Sequence, residues 1–121
     1  LLRAKKLQKR AARVGFDWPS TDEVLDKIVE EAGELVEARE ELSQKEVEEE
    51  FGDLLFVMVN LGRHLGIESE TALRAANAKF TRRFESIERA LAAIGRTPEQ
   101  SDLTEMDALW DAAKAEEKRK S

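Results

Sequence analysis

Between Glu30 and Asp53 the chain reads EEAGELVEAREELSQKEVEEEFGD, and two acidic pairs within it, Glu31 with Glu34 and Glu50 with Asp53, are each spaced three residues apart. On a helix such neighbours share a face, so each pair presents two carboxylates in one direction. Two such helices packed antiparallel would aim four carboxylates at one point. Like charges held that close repel unless a cation sits among them, and a donor set made only of oxygen suits Mg²⁺, with Mn²⁺ as a substitute. The opposing view is that acidic residues, being good helix formers, coat a solvated face. That view is preferred for Glu37, Glu40, Glu41, Glu46 and Glu48. Asp53 differs because LLFVMV follows it at once, and a carboxylate on the edge of a buried helix needs a partner. Spacing alone weighs metal site and solvated face equally.

The elements that must position these residues are legible in order. Leu1 to Val14 has a helical stripe of Leu7, Ala11 and Val14, stopped by Gly15. Phe16 and Trp18, around a turn made by Pro19, are expected to plug the core. Ser20 with Glu23 forms a capping box that opens a second helix, whose stripe is Leu25, Ile28, Ala32, Leu35 and Leu42. Gly33 in its middle implies a close approach by another group. Ser43 with Glu46 repeats the box and opens a third helix ending at Gly66. Between Phe51 and Leu61 it is apolar nearly all round, which predicts a central helix. Along it Asn60 either supports a ligand or satisfies its own hydrogen bonds, with equal weight, while His64, the sole histidine, is expected at the surface near the helix end.

A fourth helix begins at Ser69 or Glu70 and carries Leu73, Ala76, Phe80, Phe84, Ile87, Leu91 and Ile94 before Gly95 stops it. Beside that stripe lie Lys79, Arg82 and Arg83; Lys79 and Arg83 share a face and could clamp a phosphate, although solvation or ion pairing is the commoner fate of such residues. Residues 96–102 read as a loop. Thr104 with Asp107 resembles a last N-cap, Met106, Leu109, Trp110 and Ala113 form a final stripe, and the tail AEEKRKS is expected to fray. Trp110 and Lys114 are four apart, an aromatic plate next to a cation; this suits a base beside a phosphate, or simply a packed Trp covered by a Lys stem. No segment alternates with period two for long enough to make a strand. The expectation is an all-α fold, a four-helix core with about five helices, in a single domain over 1–121.

With 38% charged residues and a formal charge of −6, the chain is poorly suited to nucleic acid polymers, which want a basic surface. Cysteine is absent, which fits a reducing cytoplasm. No apolar run is long enough to span a membrane, so a cytoplasmic protein is expected. The chain opens at Leu1 rather than Met, which is read as a fragment, a processed chain or a trimmed terminus, with sequence expected upstream. Phosphate loops, dinucleotide fingerprints, zinc ligand sets and the E-x-x-H pairs of a di-iron bundle are all missing.

One resemblance covers the whole chain. Glu30, Glu31 and Glu34, then a spacer, then Glu50 and Asp53 match an E-E-x-x-E … E-x-x-D pattern, and the blocks KLQKRAARVGFDWP, EEEFGDLLFVMVNLGRHLGI, ALRAANAKFTRRFESIE and MDALWDAAKAEE follow in order. Together these resemble the MazG nucleoside triphosphate pyrophosphohydrolases, specifically the C-terminal domain of two-domain members. The resemblance implies Mg²⁺-dependent hydrolysis of an NTP to NMP and pyrophosphate by a homodimer or higher homo-oligomer. It assigns Glu31, Glu34, Glu50 and Asp53 to the metal, with Glu34, Glu50 and Asp53 also catalytic. It places Lys79, Arg83 and Lys114 on phosphates and Trp110 near the base or sugar, with Glu30, Asn60 and Arg82 in supporting roles. The rival from another class is a non-catalytic helical dimerisation or regulatory module.

Overall fold

In a computed structural model the chain is described over residues 1–41 and 43–120, so the predicted stripe position Leu42 and the final Ser121 lie outside the described residues. The elements are α1 (Leu2–Ala12), α2 (Thr21–Glu41), α3 (Gln44–His64), α4 (Ser69–Ala92), a 3₁₀ turn (Pro98–Gln100) and α5 (Leu103–Lys120). No strand occurs among the described residues, and the all-α expectation holds. The helices fall into two compact units, residues 1–72 and residues from Leu73 onward, with the division in the first turn of α4.

Helix ends follow local chemistry. At Gly15 (φ +88°) the amide of Phe16 donates to Ala11 O at 3.1 Å and that of Gly15 to Ala12 O at 3.0 Å, so the chain turns off α1 through a left-handed residue that glycine adopts without a Cβ clash. The same pair of bonds closes α3 at Gly66 and α4 at Gly95. The Ser43 hydroxyl accepts from the Glu46 amide at 3.3 Å and donates to its carboxylate at 3.1 Å, while the Ser20 hydroxyl accepts from the Glu23 amide at 3.3 Å. The last cap differs from expectation: Asp102 Oδ1 takes the Glu105 amide at 2.8 Å, so α5 starts ahead of Thr104. It also runs on to Lys120 through the segment expected to fray, supported by Glu116 pairing with Arg119 at 2.8 Å and Lys120 at 3.8 Å.

In the first unit α3 packs along α2 and also against α1, which fits its predicted central place. Val24 and Ala38 of α2 are buried with Val57, Val59 and Asn60 of α3. A polar tether joins α1 to this pair: the buried Gln8 donates from Nε2 to the Phe56 carbonyl at 2.7 Å. Gly62 is buried, and a Cβ there would stand 2.6 Å from the Ser69 hydroxyl, so the close packing of this end of α3 on the start of α4 favours glycine. Gly33, by contrast, faces open space among the described residues, so none of them explains it, and it costs the helix about 1 kcal/mol relative to Ala. Much apolar surface stays outside. Val29, Val36, Phe51, Leu55 and Met58 are all exposed in the single chain. In the second unit Ile87, Leu91 and Ala113 are buried, whereas Leu73, Phe80 and Ile94 of the α4 stripe are exposed.

Two expectations about the turn after α1 are corrected. Phe16 is 82% exposed and plugs nothing, although Trp18 is half-buried. His64 is not a free surface residue: its Nε2 lies 3.0 Å from Asp17 Oδ1, which also takes Arg63 Nη2 at 2.6 Å. The Arg63 hydrogen bond, aided by His64, holds the Asp17 carboxyl well below its ordinary value of 3.8, at about 2. A carboxylate depressed on folding stabilises fully above its unfolded value, and that contribution is lost as pH falls through its folded value. The thermal midpoint should therefore drop between pH 4 and pH 2 in part through Asp17. Asp17→Asn is expected to lower the neutral-pH midpoint by a few degrees and to flatten the acid limb, read by circular dichroism melts across pH; an identical acid limb in the variant would refute the role.

Candidate metal centre

α2 carries Lys27, Glu30, Glu31 and Glu34 at intervals of three and four, and α3 running back beside it carries Glu50 and Asp53. One carboxylate oxygen each from Glu31, Glu50 and Asp53 lies within 4.8 Å of the other two, the convergence that the spacing implied for these three. Glu31 is buried at 7% exposure, Glu50 is half-buried and Asp53 is exposed, so the cluster opens to solvent on one side. Glu31 Oε1 has the Lys27 ammonium at 3.1 Å. The remaining oxygen of Glu31 and the Oε2 of Glu50 are buried without any hydrogen-bond partner. Burying ionised oxygens unpaired is costly, and three like charges sharing this space have one ammonium to offset them. The donor set is oxygen alone, the chemistry that suits a hard divalent cation.

Glu34 stands apart from the converging trio and is exposed, yet it feels the cluster. Its carboxyl is raised above the usual glutamate range, chiefly by the charge of Glu31, with burial, Glu50 and Glu30 adding to the effect. Glu30 is exposed and shares Lys27, at 3.4 Å. Lys27 itself escaped the sequence reading; its signal was a Lys one turn before Glu31 on the same face, and the Glu31 and Glu30 carboxylates hold its ammonium above the ordinary lysine range. Asn60 is buried, and its oxygen accepts from Arg63 Nε and Nη2 at 3.2 and 2.8 Å, so that oxygen is satisfied within α3.

The second unit holds the basic and aromatic candidates. Arg83 lies 5.3 Å from the centre of the Trp110 ring, within cation–π range, and donates to Glu117 of α5. Phe80 stacks parallel to Phe84 at 6.1 Å and tilts against Trp110 at 5.5 Å; with Ile87 and Met106 these rings line an apolar groove of about 340 Å³. Lys79, Arg82 and Lys114 are exposed.

Paired helices that bring three carboxylates within 4.8 Å of one another define an all-α protein with a candidate metal centre. The MazG nucleotide pyrophosphohydrolase domain model matches residues 20–87, which include both acidic helices, and the chain belongs to the MazG family. It is 50% identical over 119 residues to the nucleoside triphosphate pyrophosphohydrolase of Escherichia coli K12, covering 97% of this chain and 45% of that protein. It is 43% identical over 111 residues to the nucleoside triphosphate pyrophosphohydrolase/pyrophosphatase MazG of Thermotoga maritima, covering 92% and 42% respectively. A 70-residue stretch is 46% identical to the uncharacterized protein YabN of Bacillus subtilis. The chain thus spans less than half the length of these relatives.

Proposed function

We propose that this chain hydrolyses nucleoside triphosphates to nucleoside monophosphate and pyrophosphate with Mg²⁺, as a single MazG-type domain in a cytoplasmic homodimer or higher homo-oligomer. The carrying observation is the pair of buried, partnerless oxygens on Glu31 and Glu50 within a trio of converging carboxylates. Glu31, Glu34, Glu50 and Asp53 would hold the ion. Bound there, Mg²⁺ supplies charge neutralisation for the triphosphate and a more acidic water.

In the reaction, the oxygen of a water bonds to the α-phosphorus, and the bond from that phosphorus to the α,β-bridging oxygen breaks. The bond pair leaves with pyrophosphate. The water's proton passes to a carboxylate, Glu34 or Glu50. Lys79, Arg83 and Lys114 are assigned to the phosphates, where cations stabilise charge on the departing group, and Trp110 to the base or sugar. The exposed apolar residues of α2 and α3, Val29, Val36, Phe51, Leu55 and Met58, support assembly with a second copy. No described helix is long and apolar enough to cross a membrane.

The test is pyrophosphate release from a panel of canonical and modified NTPs and dNTPs, with Mg²⁺ and with chelator. Release that needs Mg²⁺ and leaves NMP is the expected result. Absence of release from every nucleotide at high protein concentration would favour a non-catalytic helical module.

A further inference from the structure

Arg83 is already engaged by an anion. Its Nε and Nη2 both donate to one oxygen of Glu117, at 3.2 and 3.0 Å, while its guanidinium lies over Trp110. The arginine side chain keeps 13% of its exposure and the glutamate 38%. The Arg83 hydrogen bond holds Glu117 below the usual glutamate range, and the charges of Arg82 and Lys79 act in the same direction. Arg83 is therefore paired with a carboxylate that α5 brings to it, and the charges of Arg82 and Lys79 also act on that carboxylate. A carboxylate oxygen and a phosphate oxygen offer the same acceptor to a guanidinium edge.

We propose that Glu117 is an internal competitor for Arg83, occupying in the resting chain the donors that a substrate phosphate takes up. The inference rests on the reading that Arg83 contacts the triphosphate. Both Arg83 donors meet a single Glu117 oxygen, whereas a phosphate can offer a separate oxygen to each and make two parallel bonds. Exchange is also favoured because Arg83 is oriented before any ligand arrives. Trp110, itself braced by Phe80, holds the guanidinium by a contact that does not depend on Glu117. Removing the glutamate charge leaves Lys79 and Arg82 to attract the incoming anion without opposition from that carboxylate.

The experiment compares Glu117→Gln, Glu117→Ala and Arg83→Gln by steady-state pyrophosphate release, and by calorimetric binding of inorganic triphosphate, which needs no turnover. Both Glu117 variants are expected to lower KM and the triphosphate dissociation constant by about two- to fivefold, the range that a partly exposed ion pair carries, with kcat little changed. Arg83→Gln is expected to raise both constants. If the Glu117 variants raise KM or leave it unchanged while Arg83→Gln raises it, Glu117 orients Arg83 instead of competing for it and the proposal is wrong. If Arg83→Gln changes neither constant, the assignment of Arg83 to phosphate fails, and the competition falls with it.

Discussion

Asp53→Asn is expected to cut pyrophosphate release by at least about 100-fold with helical content unchanged. Losing a group that merely supports a metal ligand costs about 10- to 100-fold, and losing a ligand should exceed that. Asn and Asp have similar helix propensities, and Asp53 is exposed, so the substitution leaves α3 its packing. It also removes one of three converging negative charges. The variant should therefore melt no lower than the parent in chelator, and higher if the repulsion is substantial. A stable, inactive enzyme separates loss of a ligand from loss of the fold. Undiminished turnover would remove Asp53 from the site.

Adding Mg²⁺ to metal-free protein should raise the melting midpoint. A ligand present at a hundredfold excess over its dissociation constant stabilises by about 2.7 kcal/mol, worth roughly 10 °C for a domain of this size. The pH dependence has a defined sign. Glu34 is raised in the fold above its ordinary value of 4.5, chiefly by Glu31, so its charge destabilises the fold progressively as pH rises from 4.5 to its folded value and by a constant amount above that. A cation relieves that opposition where the carboxylates are ionised, and protons compete with it where they are not. The Mg²⁺-dependent shift should be full at pH 7.5 and shrink as pH falls through the raised Glu34 range. Melts with Mg²⁺ and with chelator at several pH values measure it; superimposable curves at pH 7.5 would argue against a cation among these carboxylates.

What could be read from the sequence was what local chemistry decides. Gly15, Gly66 and Gly95 were legible as helix stops because the left-handed residue after a helix favours glycine wherever the helix lies. Ser43 and Glu46 were legible for a similar reason. Glu31, Glu50 and Asp53 could be placed together from helical spacing and one chain reversal, although spacing could not separate a shared cation from a solvated face. The burial of two oxygens, which depends on both helices at once, is the observation that weighs toward a cation. Phe16 and His64 were misplaced for this reason: whether a side chain near a turn is covered depends on distant partners, and Asp17 meets Arg63 and His64 across more than 45 positions of chain. Asp102 was passed over as the α5 cap because Thr104 offered an equally good local signal.

The contacts at Asp17 and Gln8 bear on how α3 can turn. A helix rolled by one residue about its axis swings every side chain through about 100°. α3 is capped at one end by Ser43, held near its middle by Gln8 on the Phe56 carbonyl, and held at its other end by Asp17 on Arg63 and His64. A roll would break the last two attachments together. α1 and the turn after it therefore fix the rotational phase at which Glu50 and Asp53 meet Glu31, serving as a keyway for residues they do not themselves supply.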